Sequence, residues 1–445
     1  MDPVVLASIV LLAGMVIGIA FAVPVAIAMG LPSMLAIFIL LGDFDQAALT
    51  SAQRVVAGSN SFPLLAIPFF ILAGGLMNTG GIATRLIDLA LVLAGRLPAS
   101  LAQTTVVANA MFGSVSGASV ASAAAVGTVM TPRMKKEGYD PAWAAMVNGM
   151  SSPAGMLLPP SNTFIVYSLV SSTSVAALFM AGVVPGIVWV ICCIIMVALY
   201  ARNKPHLRST MERPTFGQAL LVLLRALPAL FMIVVVIGGI LAGYFTATES
   251  AVIAVLYSLI LGLIQRTLPV RALPGIILEA AKVTGIIMLL IGMSGVLGWV
   301  ISRARWAEMV TEGLLGISTN VYVVLAMIMV VLLLAGTVMD PTPAILIFTP
   351  IFLPVVTQLG VHPIHFGAMM VYNMSLGNAT PPIGNNLFVA ARVANVRIEA
   401  LIGRLWPFFW ALLVGLFIVA FVPMFSLWLP ETLGLIAPTA PVATP

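Results

Sequence analysis

The chain has 445 residues, 61% of them hydrophobic and only 7% charged, and its mean hydropathy is +1.17. A soluble domain carries about a quarter charged residues, so a chain this poor in charge could not cover its own surface in water. The formal net charge of +5 identifies no partner by itself, because in a membrane protein the distribution of Lys and Arg over the loops carries the information.

With about twenty apolar residues per span, the sequence predicts an all-α polytopic membrane protein. Spans are expected near 4–22, 24–41 and 63–79. Met1 to Ile9 lacks a basic n-region and runs straight into the first span, so no cleavable signal is expected. An interrupted pair near 101–131 follows, then a broken helix near 141–170 and a span near 181–200. Cys192 and Cys193 lie in that span about 100° apart around one helix and read as small packing residues. A short polar hinge, Arg202 to Arg208, leads to the second half. There an amphipathic stretch near 214–224 precedes spans near 226–243, 247–265 and 275–300. An interrupted pair near 321–358, a broken helix near 363–394 and a last span near 406–425 complete the order. The Ala/Pro/Thr-rich tail from Ala437 reads as disordered. The expected domain limits are 1–100 for N-terminal scaffold helices and 101–180 for a first transport half. They continue with 181–300 for scaffold and linking helices, 301–400 for a second transport half, and 401–445 for the last span and tail.

The interruptions carry the functional signal. Phe112-Gly113-Ser114-Val115-Ser116-Gly117 breaks one apolar run, and Gly155 with Pro159-Pro160 breaks the next. In the second half the breaks are Gly336-Thr337-Val338-Met339-Asp340-Pro341 and Gly377-Asn378-Ala379-Thr380-Pro381-Pro382. Gly113/Gly336, Gly155/Gly377 and Pro160/Pro382 are each offset by 222 or 223 residues. Breaks at corresponding positions of two halves point to the binding site of a secondary transporter. Irregular backbone at membrane depth is tolerated only where it is buried in protein or lines a cavity.

Read as re-entrant hairpins, the two interrupted pairs leave about ten full crossings and put both termini on one side. The basic loops at Arg85/Arg96, Arg133 to Lys136, Arg202 to Arg213, Arg266/Arg271 and Arg392 to Arg404 then share one face. Arg54, Arg303 and Arg305 fall on the other. The positive-inside rule makes the rich face cytoplasmic and both termini periplasmic. The first hairpin then enters from the cytoplasm and the second from outside, as an inverted repeat demands.

Carbonyls and hydroxyls at such breaks are hard oxygen ligands suited to Na⁺. One candidate cation site pairs Ser114 and Ser116 with Gly155, Leu158 and Pro160; the other pairs Gly336 and Thr337 with Gly377, Thr380 and Ile383. Beside them Ser151, Ser152, Ser161, Asn162, Asn378, Asn385 and Asn386 are candidate substrate ligands, as is Asp340 at a hairpin tip; ionisable groups at membrane depth are functional candidates by default. Glu249 is a further such group. The bland reading of the small residues is close helix packing and of the amides helix-to-helix hydrogen bonding. Paired prolines beside Gly, Asn and Thr, twice in register, fit that reading poorly. His362 and His365 lack a third ligand for a metal, and Trp299, Trp306, Trp406 and Trp428 read as interfacial anchors.

The series Phe112-Gly113-Ser114-x-Ser116-Gly117, Gly155-x-x-x-Pro159-Pro160-Ser161, Gly238-Gly239, Gly336-Thr337-x-Met339-Asp340 and Thr380-Pro381-Pro382-x-Gly384-x-Asn386 resembles the large membrane subunit of tripartite ATP-independent periplasmic (TRAP) transporters along nearly the whole chain. It departs at Ala247, where the family often has proline, and at Ala118, where serine is usual; neither touches the proposed backbone ligands. The resemblance implies an elevator-type transporter in which a domain bearing both hairpins slides against a scaffold in a bacterial inner membrane. It also implies a small four-helix membrane subunit, a soluble periplasmic substrate-binding protein, a small organic-acid substrate driven by Na⁺, and no nucleic-acid partner. The chain has no Gly-x-x-x-x-Gly-Lys loop for ATP, in agreement with ion-driven transport. The rivals are an ion-coupled carboxylate carrier working without a binding protein, a pore, and a membrane enzyme. The last would need a nucleophile–base pair or metal cluster that three histidines and two helix-bound cysteines do not supply.

Overall fold

The computed structural model describes residues 2–202, 204, 215–382 and 384–438, and every regular element among them is a helix. The first half opens with α1 (Pro3–Ala20), α2 (Val25–Leu41), α3 (Phe44–Ser59), α4 (Ala66–Thr79) and α5 (Ile82–Ala94). A hairpin of α6 (Ser100–Ser116) and α7 (Ser119–Lys136) follows. Next comes a helix broken into α8 (Pro141–Ser151), α9 (Ala154–Leu157) and α10 (Asn162–Ser171), and then α11 (Val175–Arg202). The second half holds α12 (Phe216–Leu241), α13 (Ala247–Ile264), α14 (Leu273–Arg303), α15 (Trp306–Ile317) and a hairpin of α16 (Val321–Val338) and α17 (Pro341–Gln358). It ends with a helix broken into α18 (Pro363–Asn378) and α19 (Asn385–Ala394), then α20 (Glu399–Phe421) and α21 (Met424–Thr432).

Both expected hairpins and both broken helices are present. The reasons are local. Gly117, at φ +62°, takes the left-handed conformation that ends α6 without a Cβ penalty. Pro341 begins α17, where a missing N–H costs nothing. The Pro159-Pro160 and Pro381-Pro382 pairs offer no backbone N–H to continue a helix, and both pairs are joined by cis peptide bonds. Among the described residues nine helices are long and apolar enough to cross a membrane by length and composition, including both arms of the second hairpin.

Three amphipathic helices, α3, α5 and α15, lie in stretches that a search for twenty apolar residues leaves as loop. The segment expected as an amphipathic piece plus a span is one helix, α12, with Pro228 inside it. Glu249 proves to be a capping residue. Its carboxylate accepts the Thr246 N–H at 2.8 Å and the Thr246 hydroxyl at 2.9 Å, closing a capping box at the start of α13. The hinge from Asn203 to Arg208 lies outside the described residues except for Lys204, and the tail beyond Pro438 is likewise outside.

Helices α1–α4 and α12–α14 pack on one another, while α6–α11 and α16–α21 form a second packed group. Helices α5 and α15 each lead into a hairpin and pack on one of its arms, α5 on α6 and α15 on α17. The two groups meet where α4 touches α6 and α10, and where α14 touches α17.

Candidate functional site

In each half, the C-terminal end of the first hairpin arm meets the broken helix at its break, α6 against the short piece α9 and α16 against the C-terminal end of α18. Glycine makes this contact possible. A Cβ on Gly113 would collide with Gly155 Cα, and one on Gly155 would sit 3.0 Å from the Gly113 carbonyl carbon. A Cβ on Gly377 would lie 2.6 Å from Gly336 Cα, and one on Gly336 would lie 3.2 Å from Gly377 Cα. Each helix end leaves carbonyls without an intrahelical partner, and the macrodipole adds negative partial charge there. These ends and breaks make one electronegative focus in each half.

The hydroxyls at these foci are oriented alike. Ser114 Oγ donates to Met111 O at 2.8 Å, Thr337 Oγ1 to Leu334 O at 2.8 Å, and Thr380 Oγ1 to Leu376 O at 2.6 Å. Ser116 Oγ donates to Ala118 O at 3.3 Å. A hydroxyl that has given its one proton away keeps its lone pairs for accepting. Gly117 closes on the next break: a Cβ there would lie 3.0 Å from Pro160 O and 3.4 Å from Asn162 N. The Leu158 side chain packs toward Gly186 of α11, whose added Cβ would be 2.7 Å from Leu158 Cδ2, so only the Leu158 backbone is available to the tip. Ile383 lies outside the described residues.

The residues expected around these foci divide into three groups. Ser151 and Ser152 sit wholly inside. Ser151 Oγ accepts from Asn109 Nδ2 at 2.8 Å, in a network where Asn109 Nδ2 also reaches Asn148 Oδ1 at 3.0 Å and Ser122 Oγ donates to Asn109 Oδ1 at 2.8 Å. Ser152 Oγ donates to Gly149 O at 3.2 Å. Ser161 caps α10 and, with Thr163 at 3.0 Å, donates to the Met156 carbonyl inside the break. Asn378 is buried at the end of α18. Asp340 is exposed at the second hairpin tip, where its Oδ1 accepts from Asn385 Nδ2 at 2.7 Å.

Asn162 and Asn386 differ from the rest. Asn162 Oδ1 is buried without a hydrogen-bond partner, and Asn386 is fully buried with neither Oδ1 nor Nδ2 partnered. Tyr372 OH, Asn373 Oδ1 and Ser375 Oγ on α18 are also buried and unpartnered. These three were not singled out in the sequence. Their signal is the repeat itself: Asn373 lies 222 residues after Ser151 and Ser375 lies 223 after Ser152. His365 is spent internally, with Nδ1 2.6 Å from Ser426 Oγ and Nε2 3.1 Å from Ala420 O, and His362 accepts from Ile364 N at the start of α18.

Repeated hairpins whose tips meet broken helices define an inverted-repeat secondary transporter. The chain matches the tripartite ATP-independent periplasmic transporter family, DctM component, over residues 12–425. It belongs to that family, as a transporter subunit and not an enzyme. Over 423 residues it is 46% identical to the uncharacterized protein YgiK of Salmonella typhimurium, covering 95% of this chain and 97% of that one. It is 37% identical to the C4-dicarboxylate TRAP transporter large permease protein DctM of Pseudomonas aeruginosa, covering 86% and 90%. Its fold resembles the YdaH transporter of Alcanivorax borkumensis, with a TM-score of 0.63 at 14% identity over 89% of this chain and 90% of that one.

Proposed function

We propose that this chain is the translocating subunit of a TRAP transporter that takes up a small organic acid into the cell by Na⁺ symport and an elevator motion. The observation that carries the reading is the pair of Gly–Gly contacts, Gly113–Gly155 and Gly336–Gly377, each bringing the C-terminus of a hairpin arm, the interrupted part of a broken helix and lone-pair-bearing hydroxyls to one point. Electronegative helix ends and neutral oxygens suit Na⁺. Ser114, Ser116 and the Gly155–Pro160 backbone would hold one ion, and Gly336, Thr337, Gly377 and Thr380 a second. The neighbouring N-termini of α10 and α19 carry the opposite partial charge, which suits a carboxylate, and Asn386 Nδ2 supplies an unpartnered donor beside α19. The elevator reading rests on the two packed groups joined through α5 and α15. The family supports the small membrane subunit, the periplasmic binding protein and placement in a bacterial inner membrane, and the distribution of Lys and Arg over the loops supports periplasmic termini.

The test is uptake in proteoliposomes containing this chain, its small subunit and its binding protein. An inward Na⁺ gradient drives accumulation with a Hill coefficient above one for Na⁺, and this chain alone transports poorly. Equal uptake in Na⁺-free buffer with only a proton gradient would overturn the coupling.

A further inference from the structure

Three arginines stand apart from the other basic residues of the chain. Arg54, Arg303 and Arg305 are the ones assigned to the basic-poor face, and the fold brings all three to the wall of one cavity. That cavity holds about 480 Å³ and is also lined by Gly295, Gly298, Trp299 and Ser302. No acidic side chain is among its lining residues. The convergence comes from helix crossing. A Cβ on Gly295 would sit 2.7 Å from Arg54 O, so α3 crosses α14 at close backbone range and sets Arg54 over the outer end of α14. Arg303 ends α14, and Arg305 begins the turn into α15. Arg305 pairs with Glu308 at 3.7 Å; Arg54 and Arg303 have no ion-pair partner among the described residues.

Three guanidinium groups that share a single carboxylate keep a net positive charge, and each is a planar fork matched to phosphate or carboxylate. The surroundings select between sources. Trp299 in the wall marks the depth of lipid headgroups. Beside Arg54 on α3, Leu49 and Val56 are exposed apolar residues, so α3 is an amphipathic helix of the kind that lies in the membrane interface. The hairpin tips lie on other helices, so the cavity is separate from the transport foci. We infer that the Arg54–Arg303–Arg305 cavity binds the phosphodiester headgroup of an anionic phospholipid, with acyl chains running along α3 and α14.

The experiment uses the purified full-length chain in a neutral detergent. Native mass spectrometry is read while phosphatidylglycerol or phosphatidylcholine is titrated in, and inorganic phosphate and succinate are added as competitors. Retention of phosphatidylglycerol over phosphatidylcholine is expected. R54Q/R303Q/R305Q should weaken it about a hundred-fold, from roughly 1 kcal/mol per basic residue near anionic lipid. R54K/R303K/R305K keeps charge without the fork and should lose less than the glutamine variant, which guards against a folding artefact. Equal retention of the two lipids, or of phosphatidylglycerol by parent and glutamine variant, overturns the assignment. So does displacement of lipid by millimolar phosphate or succinate, which marks a soluble-anion site. Loss of binding-protein-dependent uptake in the glutamine variant with lipid retention intact would make this face a protein dock instead.

Discussion

The two breaks are built on one plan and finished differently. Around the first, polar groups are paired within the protein: Asn109, Ser122, Asn148 and Ser151 close a network, and Trp189 Nε1 donates to Met150 O at 2.9 Å. Around the second, Asn373 Oδ1, Ser375 Oγ and both polar atoms of Asn386 are buried without partners. An unsatisfied buried polar group costs roughly 1–3 kcal/mol, so a protein keeps several at one place only where something else satisfies them. The first break leaves one such atom, Asn162 Oδ1, beside an otherwise paired network, and the second leaves several.

The largest effect is expected from the glycine contacts, and it should differ between halves. Gly113→Ala drives a Cβ into the Gly155 backbone, whereas Gly336→Ala asks Gly377 Cα to yield only a few tenths of an ångström from 3.2 Å. Gly113→Ala should abolish uptake and lower thermal stability in detergent, while Gly336→Ala keeps the fold and part of the activity. Equal damage at both positions would erase the contrast.

Thr380→Val comes next. It keeps the shape at the second break and removes one hard oxygen, at a cost of roughly 1.5–3 kcal/mol for a contact to a charge. Apparent Na⁺ affinity should fall about ten- to a hundred-fold, with expression unchanged. A Val variant with the parent's Na⁺ dependence makes Thr380 a packing residue.

A matched pair of amide variants sharpens the comparison itself. Asn109→Leu strips partners from Asn148, Ser122 and Ser151 and should destabilise by about 1–3 kcal/mol. Asn386→Leu removes two unpartnered groups, so thermal stability holds or rises while uptake drops at least ten-fold. Melting curves and uptake on the same preparations read both. If Asn386→Leu unfolds the protein and Asn109→Leu does not, the contrast between the two breaks is reversed.

The smallest effect belongs to the surface pair Arg404–Asp140, which links α20 to the start of α8 and is partly exposed on both sides. Arg404→Gln should change stability by less than about 1 kcal/mol and leave Na⁺ dependence untouched.

Much of this was legible because repetition survives where single signals are weak. Gly113 alone is an ordinary helix glycine; Gly113 and Gly336 offset by 223 residues, beside Gly155 and Gly377 offset by 222, named the contacts that the fold makes. The amphipathic helices were not legible by counting apolar residues, since α5 buries Ile82, Leu86 and Ile87 while presenting Arg85 and Asp88 outward, and no run reaches span length. Their signal is a period near 3.6. Hydrogen-bond partners were beyond the sequence as well. Ser151 and Asn386 both read as polar residues beside a break, and only the packing of α6 against α8 tells that one is tied and the other is not.

The halves are also crossed over each other. Helix α19 packs against α7 and α8, and α10 packs against α17 and α18. Tyr167 OH donates to Pro363 O at 2.7 Å, and a Cβ on Gly149 would press on Leu387 at 3.1 Å. Each repeat therefore supplies the lining of the other's hairpin, as two hands clasp. Neither hairpin can be displaced without dragging a piece of the opposite repeat along. Both Gly–Gly contacts are therefore built into one interlocked group of helices.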